Sequence, residues 1–105
     1  MKESKFQTKL IRKIRERFPG CLIMKNDPNY IDGIPDLTVL FEDKWAFLEV
    51  KRSQKARRQS AETPTGKLQT HYIDWAQSRS FGSFIYPENE EEVLNELERS
   101  FRTHR

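Results

Sequence analysis

The 105 residues carry 35% hydrophobic and 33% charged side chains with a net charge of +3, which fits one small domain with a modest core and a densely charged surface. A lone cysteine, Cys21, rules out an internal disulfide and suits an intracellular setting. No apolar run approaches the roughly 20 residues that cross a bilayer, and the N-terminal lysines precede no apolar segment of a secretory signal, so a cytoplasmic protein is expected.

Phe6, Leu10, Ile11, Ile14 and Phe18 recur at helical spacing. Residues 3 to 18 therefore read as an amphipathic helix, ended by Pro19-Gly20. Cys21-Leu22-Ile23-Met24 is a short apolar run between turn formers and reads as a strand. Asn26 to Gly33 is a loop rich in breakers. Leu37 to Phe41 is a second strand, Glu42-Asp43-Lys44 a tight polar connection, and Trp45 to Val50 a third strand apolar enough to be central in a sheet. The short connection predicts an antiparallel hairpin. Residues 52 to 66, polar and basic with Pro64 and Gly66, read as a mobile loop. Leu68, Tyr72, Trp75 and Ala76 mark a helix over residues 67 to 79, and Phe81 to Tyr86 a fourth strand. Pro87 and the carboxylates after it start a last helix striped by Val93, Leu94, Leu97 and Phe101, with acidic residues at the positive end of its dipole. The order is α-β-β-β-α-β-α, an α/β chain forming a single domain over residues 1–105.

Charge is unevenly spread. Residues 2 to 17 hold seven lysines and arginines against Glu3 and Glu16, and a second basic cluster is Lys51, Arg52, Lys55, Arg57 and Arg58. The acidic excess comes late, from Glu88 to Glu98. Such asymmetry suits a protein with one face for polyanions; the plainer reading is a set of solvated helix faces.

The chemistry concentrates in Gly33-Ile34-Pro35-Asp36 and Leu48-Glu49-Val50-Lys51. Side chains alternate along a strand, so Glu49 and Lys51 share a face and Val50 points away. Asp36 enters from the start of the neighbouring strand. Two carboxylates and the Val50 carbonyl are oxygen donors of the kind magnesium or manganese takes. Such an ion lowers the pKa of a bound water and offsets charge on a phosphoryl transition state, and Lys51 can orient the water or stabilise the developing charge. Gly33 permits positive φ or a close backbone approach, and Pro35, lacking an amide hydrogen, suits a strand start. A same-face ion pair between Glu49 and Lys51 is the purely structural alternative. His71 lacks any partner pattern and reads as a surface residue, His104 lies in the C-terminal tail, and Tyr72 and Trp75 read as core rather than stacking residues.

With a glutamate on the first helix and a glutamine on the helix after the loop, these motifs resemble the PD-(D/E)XK nuclease superfamily, and within it the VRR-NUC (virus-type replication-repair nuclease) branch, over roughly residues 3 to 86. The resemblance implies a restriction-endonuclease-like core with a central mixed sheet flanked by helices. Asp36 matches the metal-binding aspartate, Glu49 the second acidic ligand, Lys51 the catalytic lysine, and Gln69 the glutamine after the active-site strand. Val50 lends its carbonyl, and the helix-1 acid falls on Glu3, with Glu16 the alternative. The implied activity is a magnesium- or manganese-dependent endonuclease that hydrolyses DNA, with Arg52, Lys55, Arg57, Arg58 and Lys67 on the phosphates.

No recognition-helix pattern appears, so sequence-specific cutting is not expected; the resemblance, whose stand-alone members are similar to resolvases, implies selectivity for branched or four-way DNA, with a homodimer placing two sites on a two-fold junction. The resemblance points to a phage or bacterial-type intracellular protein with no membrane partner and no small-molecule cofactor. Two other classes stand beside it: a catalytically silent DNA-binding module of the same fold, and a small interaction protein using its acidic C-terminal helix.

Overall fold

The computed structural model describes residues 2–102; the expectation for His104 lies outside them. Four helices surround a four-stranded mixed sheet of order β1-β2-β3-β4. The elements are α1 (Glu3–Arg17), β1 (Leu22–Lys25), β2 (Leu37–Phe41), β3 (Lys44–Val50), α2 (Gln54–Ser60), α3 (Pro64–Arg79), β4 (Phe81–Ile85) and α4 (Glu90–Arg102). β1 and β2, and β2 and β3, pair antiparallel, while β3 and β4 pair parallel. The expected β2–β3 hairpin forms, with Phe41 opposite Lys44 across a two-residue turn. Glu42, the first turn residue, has φ of 57°, which gives the connection the twist that hairpins favour.

The apolar stripes predict the layers. Phe6, Leu10, Ile11 and Ile14 of α1 and Val93, Leu94, Leu97 and Phe101 of α4 share one buried cluster with Leu37, Val39, Phe41, Ala46, Leu48 and Val50 of the sheet. Phe18, Phe41 and Phe101 close its far end, with ring centroids 5.2 to 6.1 Å apart, a separation at which aromatic pairs attract beyond their buried area. The opposite face of β3 carries Trp45 and Phe47, which meet Trp75 of α3. Glu49 continues that alternation, so the strand that fills the core with Leu48 and Val50 delivers a carboxylate to the α3 side.

Two expectations need correction. The segment 52–66 is not a loop throughout: it holds the helix α2 and the first turn of α3, adding one helix to the expected order. Ser53 caps α2 by accepting the Ala56 amide at 3.0 Å, and Thr63 caps α3 by accepting the Gly66 amide at 3.0 Å, with Pro64 at the first turn. These hydroxyls satisfy amides that a helix start leaves open. Nor is Trp75 a core residue: it stays 41% exposed, and α3 buries Ile73 and Ala76 instead. At Gly82 of β4 the missing side chain lets the α3 backbone approach closely, with Ala76 at the contact. Tyr72 is half-buried at the rim. Among the described residues no helix is long and apolar enough to cross a membrane.

A methyl group at Gly82 would lie 2.5 Å from the Ile73 carbonyl oxygen and 2.9 Å from Ala76 Cβ. Gly82→Ala is therefore expected to cost about 1–3 kcal/mol through overpacking, read as a lower urea midpoint.

Candidate active site

The β2–β3 ladder stops where the site begins. Its last pair is Leu37 opposite Leu48. Hydrogen-bonded pairs alternate along an antiparallel ladder, and counting from the hairpin the next one would set Pro35 opposite Val50. Pro35 has no N–H to give, so the Val50 carbonyl is left without a ladder donor. The Val50 amide turns instead to Asp36 Oδ2 at 3.0 Å, and the Asp36 amide donates to Glu49 Oε1 at 3.1 Å. Two carboxylates replace a continued ladder, and each is aimed by a backbone amide.

Lys51 completes the group. Its Nζ lies 3.5 Å from Glu49 Oε2 and 3.0 Å from Gln69 Oε1. The Lys51 amide bonds to the Ile85 carbonyl at 2.9 Å, extending the β3–β4 pairing to this point. Gln69 comes from α3, whose second turn is held against the Asp36 loop by Gly33. A side chain at Gly33, which sits at φ of 80°, would strike Leu68 Cβ at 2.4 Å. Gly33 thus supplies both positive φ and a close approach.

Burial sets the electrostatics. Glu49 is only 3% exposed. Desolvation first, then the neighbouring Asp36 carboxylate, pushes its pKa from 4.5 up to about 8, against the opposing pull of Lys51. Asp36 is also raised, chiefly by desolvation, although its bond from the Val50 amide and the charge of Lys51 act the other way. Glu3 is raised by desolvation and then by Asp36, while Lys51 and Arg52 lower it. Its carboxylate therefore feels the same cluster from the first turn of α1. Glu16 is elsewhere, in a cleft with Thr8, Ile11, Arg12, Arg15 and Lys25.

The structure thus brings Asp36, Glu49, Lys51 and Gln69 into one bonded group, with Glu3 and the Val50 carbonyl at its margin. An open cleft of about 830 Å³ leads to it, lined by Glu3, Lys51, Arg52, Gln59 and Ser60. Of the expected phosphate contacts, Arg52 faces this cleft, and Lys55, Arg58 and Lys67 are exposed. Arg57 differs: its guanidinium lies 3.6 Å above the Phe84 ring and donates to the Thr70 hydroxyl at 3.3 Å. It fastens α2 to α3 and β4, a cation–π role that a basic cluster in sequence does not reveal. Gln59 and Ser60 of α2 also line the cleft, and no apolar stripe in the sequence marks their helix. His71 is exposed and meets the Tyr72 ring edge-on.

Among the described residues no group of three or more His, Cys, Asp and Glu side chains could cage a metal ion. The donor set suits an ion of another habit: magnesium binds through one or two carboxylates and completes its shell with water and substrate phosphate. Two buried carboxylates, of which Asp36 raises the pKa of Glu49, lie beside a carbonyl without a ladder donor, and a cation would relieve the charge repulsion that Glu49 meets.

The pH dependence follows from the direction of these shifts. Because Glu49 holds its proton more tightly folded than unfolded, its stabilising contribution is complete below pH 4.5 and is lost as pH rises through about 8. The denaturation midpoint of the metal-free protein is expected to fall across that window. Glu49→Gln, which stays neutral, is expected to flatten this fall and to be the more stable protein above pH 8. Comparison with models of protein families, with curated proteins and with solved structures finds no significant match to this chain.

Proposed function

We propose that the chain is a divalent-metal-dependent nuclease that hydrolyses DNA phosphodiester bonds within the strand, with a restriction-endonuclease-like core of the PD-(D/E)XK type and its VRR-NUC branch. The observation that carries this reading is the buried Glu49 beside Asp36, with Lys51 held between Glu49 and Gln69. A structural ion pair at a strand end does not need a second carboxylate that opposes it.

Asp36, Glu49 and the Val50 carbonyl would hold magnesium or manganese, with Glu3 as an outer donor. When bound, the ion supplies a water of lowered pKa and offsets charge on the phosphoryl oxygens. Lys51 keeps its ammonium at the mouth of the cleft, where negative charge develops on the attacked phosphate. Gln69 accepts from that ammonium and fixes its direction. Arg52, Lys55, Arg58 and Lys67 neutralise phosphates in a salt-dependent, sequence-independent way. The resemblance to the VRR-NUC branch favours branched or four-way DNA, and a homodimer would give such a junction two sites.

A catalytically silent DNA-binding module is the second reading, favoured by one feature: burial and the neighbouring Asp36 push Glu49 toward its neutral, hydrogen-bonded form. The two separate on metal binding. A nuclease site raises the melting temperature with magnesium at pH 8, through binding to the folded state alone, and Glu49→Gln abolishes that rise.

Labelled linear, flapped and four-way DNA incubated with magnesium or manganese should be cut. Cutting is expected to fall at least about a hundredfold in Glu49→Ala and Lys51→Ala, about tenfold or more in Gln69→Ala, and to stop with a chelator. Intact substrates under every one of these conditions would sink the nuclease reading.

A further inference from the structure

The chain from Asn26 to Asp36 is an Ω-type loop whose ends are tied together. The Asn26 amide donates to the Asp36 carbonyl at 2.8 Å, and Asn26 Nδ2 donates to the Pro35 carbonyl and to Thr38 Oγ1 at 2.8 and 2.9 Å. Inside the loop, the Asp27 carboxylate accepts the Asn29 amide at 2.9 Å, and its carbonyl accepts the amides of Tyr30 and Ile31 at 3.0 and 3.3 Å. Ile34 closes the next turn on the Ile31 carbonyl at 3.2 Å. The loop is therefore built, yet its tip is apolar and outward. Tyr30 is 84% exposed, the highest value of any large hydrophobic residue described. Among the described residues no hydrogen bond or ring contact holds its side chain. Ile31 and Leu68 flank the tip at 37% exposure each.

This tip is close to the proposed site. Asp36 is the base of the same loop. Tyr30 precedes Gly33 by three residues, at most about 11 Å of extended chain, and a Gly33 Cβ would lie 3.4 Å from the amide nitrogen of Gln69. A strand whose phosphate reached Lys51 would pass the Tyr30 ring within a few nucleotides.

We infer that Tyr30 is a stacking platform for an unpaired base of the DNA strand held in the active site, and that it selects DNA with splayed bases over fully paired duplex. The inference takes its ligand from the nuclease reading, but stacking needs no catalysis. The ring offers a flat apolar face to any base, whereas in a paired duplex those faces are already stacked. Asp27 and Asp32 beside it repel phosphates, so the tip meets bases rather than backbone, while exposed Lys67 next to Leu68 provides a cation for the neighbouring phosphate. A rigid loop loses little entropy when it binds. The Trp75 ring is unsuited to this role because Trp45, Phe47 and the Arg79 guanidinium already cover it.

The test uses the whole chain without metal, so that binding is read alone. A splayed-arm duplex carries 2-aminopurine in its unpaired arm, and a fully paired duplex carries it internally. Stacking one base on an aromatic side chain changes affinity by about 5- to 150-fold. Tyr30→Ala is expected to lower the splayed-over-paired affinity ratio by about fivefold or more and to remove the quenching of the arm fluorophore; Tyr30→Phe should keep both. An unchanged ratio in Tyr30→Ala, a Tyr30→Phe that behaves like Tyr30→Ala, or a wild type that binds no DNA overturns the inference. Cleavage assays with magnesium run alongside keep the two ideas apart. Cleavage with an unchanged ratio leaves the nuclease and removes the platform, and a changed ratio without cleavage does the reverse.

Discussion

Glu49 sits at the end of the central strand with almost no access to water, and the arrangement around it follows from that burial. A carboxylate in such a place needs donors. It takes them from the Asp36 amide and the Lys51 ammonium, and Asp36 in turn takes the Val50 amide. These bonds hold the end of β2 to the end of β3 after the ladder has stopped at Leu37 and Leu48. Pro35 is what stops it, and Gly33 lets the incoming loop lie on α3. The grouping of Asp36, Glu49, Lys51 and Gln69 is thus one constraint with several consequences: two carboxylates forced together, a cation drawn in, and a glutamine set behind the cation.

The charge asymmetry of the chain divides into two uses. Part of the basic first helix is spent inside the molecule, where Lys13 reaches Glu90 at 3.0 Å and Arg17 reaches Glu91 and Glu98 at 2.7 and 3.3 Å. Arg102 adds a bond to the Arg17 carbonyl at 2.7 Å. The acidic last helix therefore has partners in the fold, which weakens its claim to be a free surface for another protein. Exposed pairs of this kind add little stability each, but they fix how α1 lies on α4 over the apolar seam. Of the basic residues at and after Lys51, Lys51 and Arg52 line the cleft, while Arg57 lies over the Phe84 ring.

Alternation along β3 made the site legible in the sequence. A strand with Trp45, Phe47 and Glu49 on one side and Ala46, Leu48 and Val50 on the other places its charge by parity alone, and the two-residue hairpin then sets Asp36 across from it. What stayed hidden depended on contacts between distant residues. The helix α2 buries no residue at all, so it has no apolar stripe to read, and its polar composition looks like loop. Its signal was the pair of caps, Ser53 and then Thr63 before Pro64, which mark two helix starts in a stretch read for its breakers. The exposure of Trp75 was hidden for the same reason. Nothing in the helical spacing of α3 says that Gly82, on a different strand, lets the helix approach closely with Ala76 at the contact.

The buried pair also explains how a site this charged can fold before any ligand arrives. With both carboxylates ionised, the folded protein would hold two negative charges against one ammonium in a poorly solvated pocket. Burial and the Asp36 charge raise the Glu49 pKa, which favours holding a proton there and so lessens that charge. A divalent cation would do the same task more fully, releasing that proton as it binds. Proton and metal would then compete for one role at the same carboxylate. Lys51 is compatible with both states because Gln69 accepts from it independently of Glu49. The bond to Gln69 therefore fixes the direction of the ammonium whether or not the Glu49 carboxylate faces it.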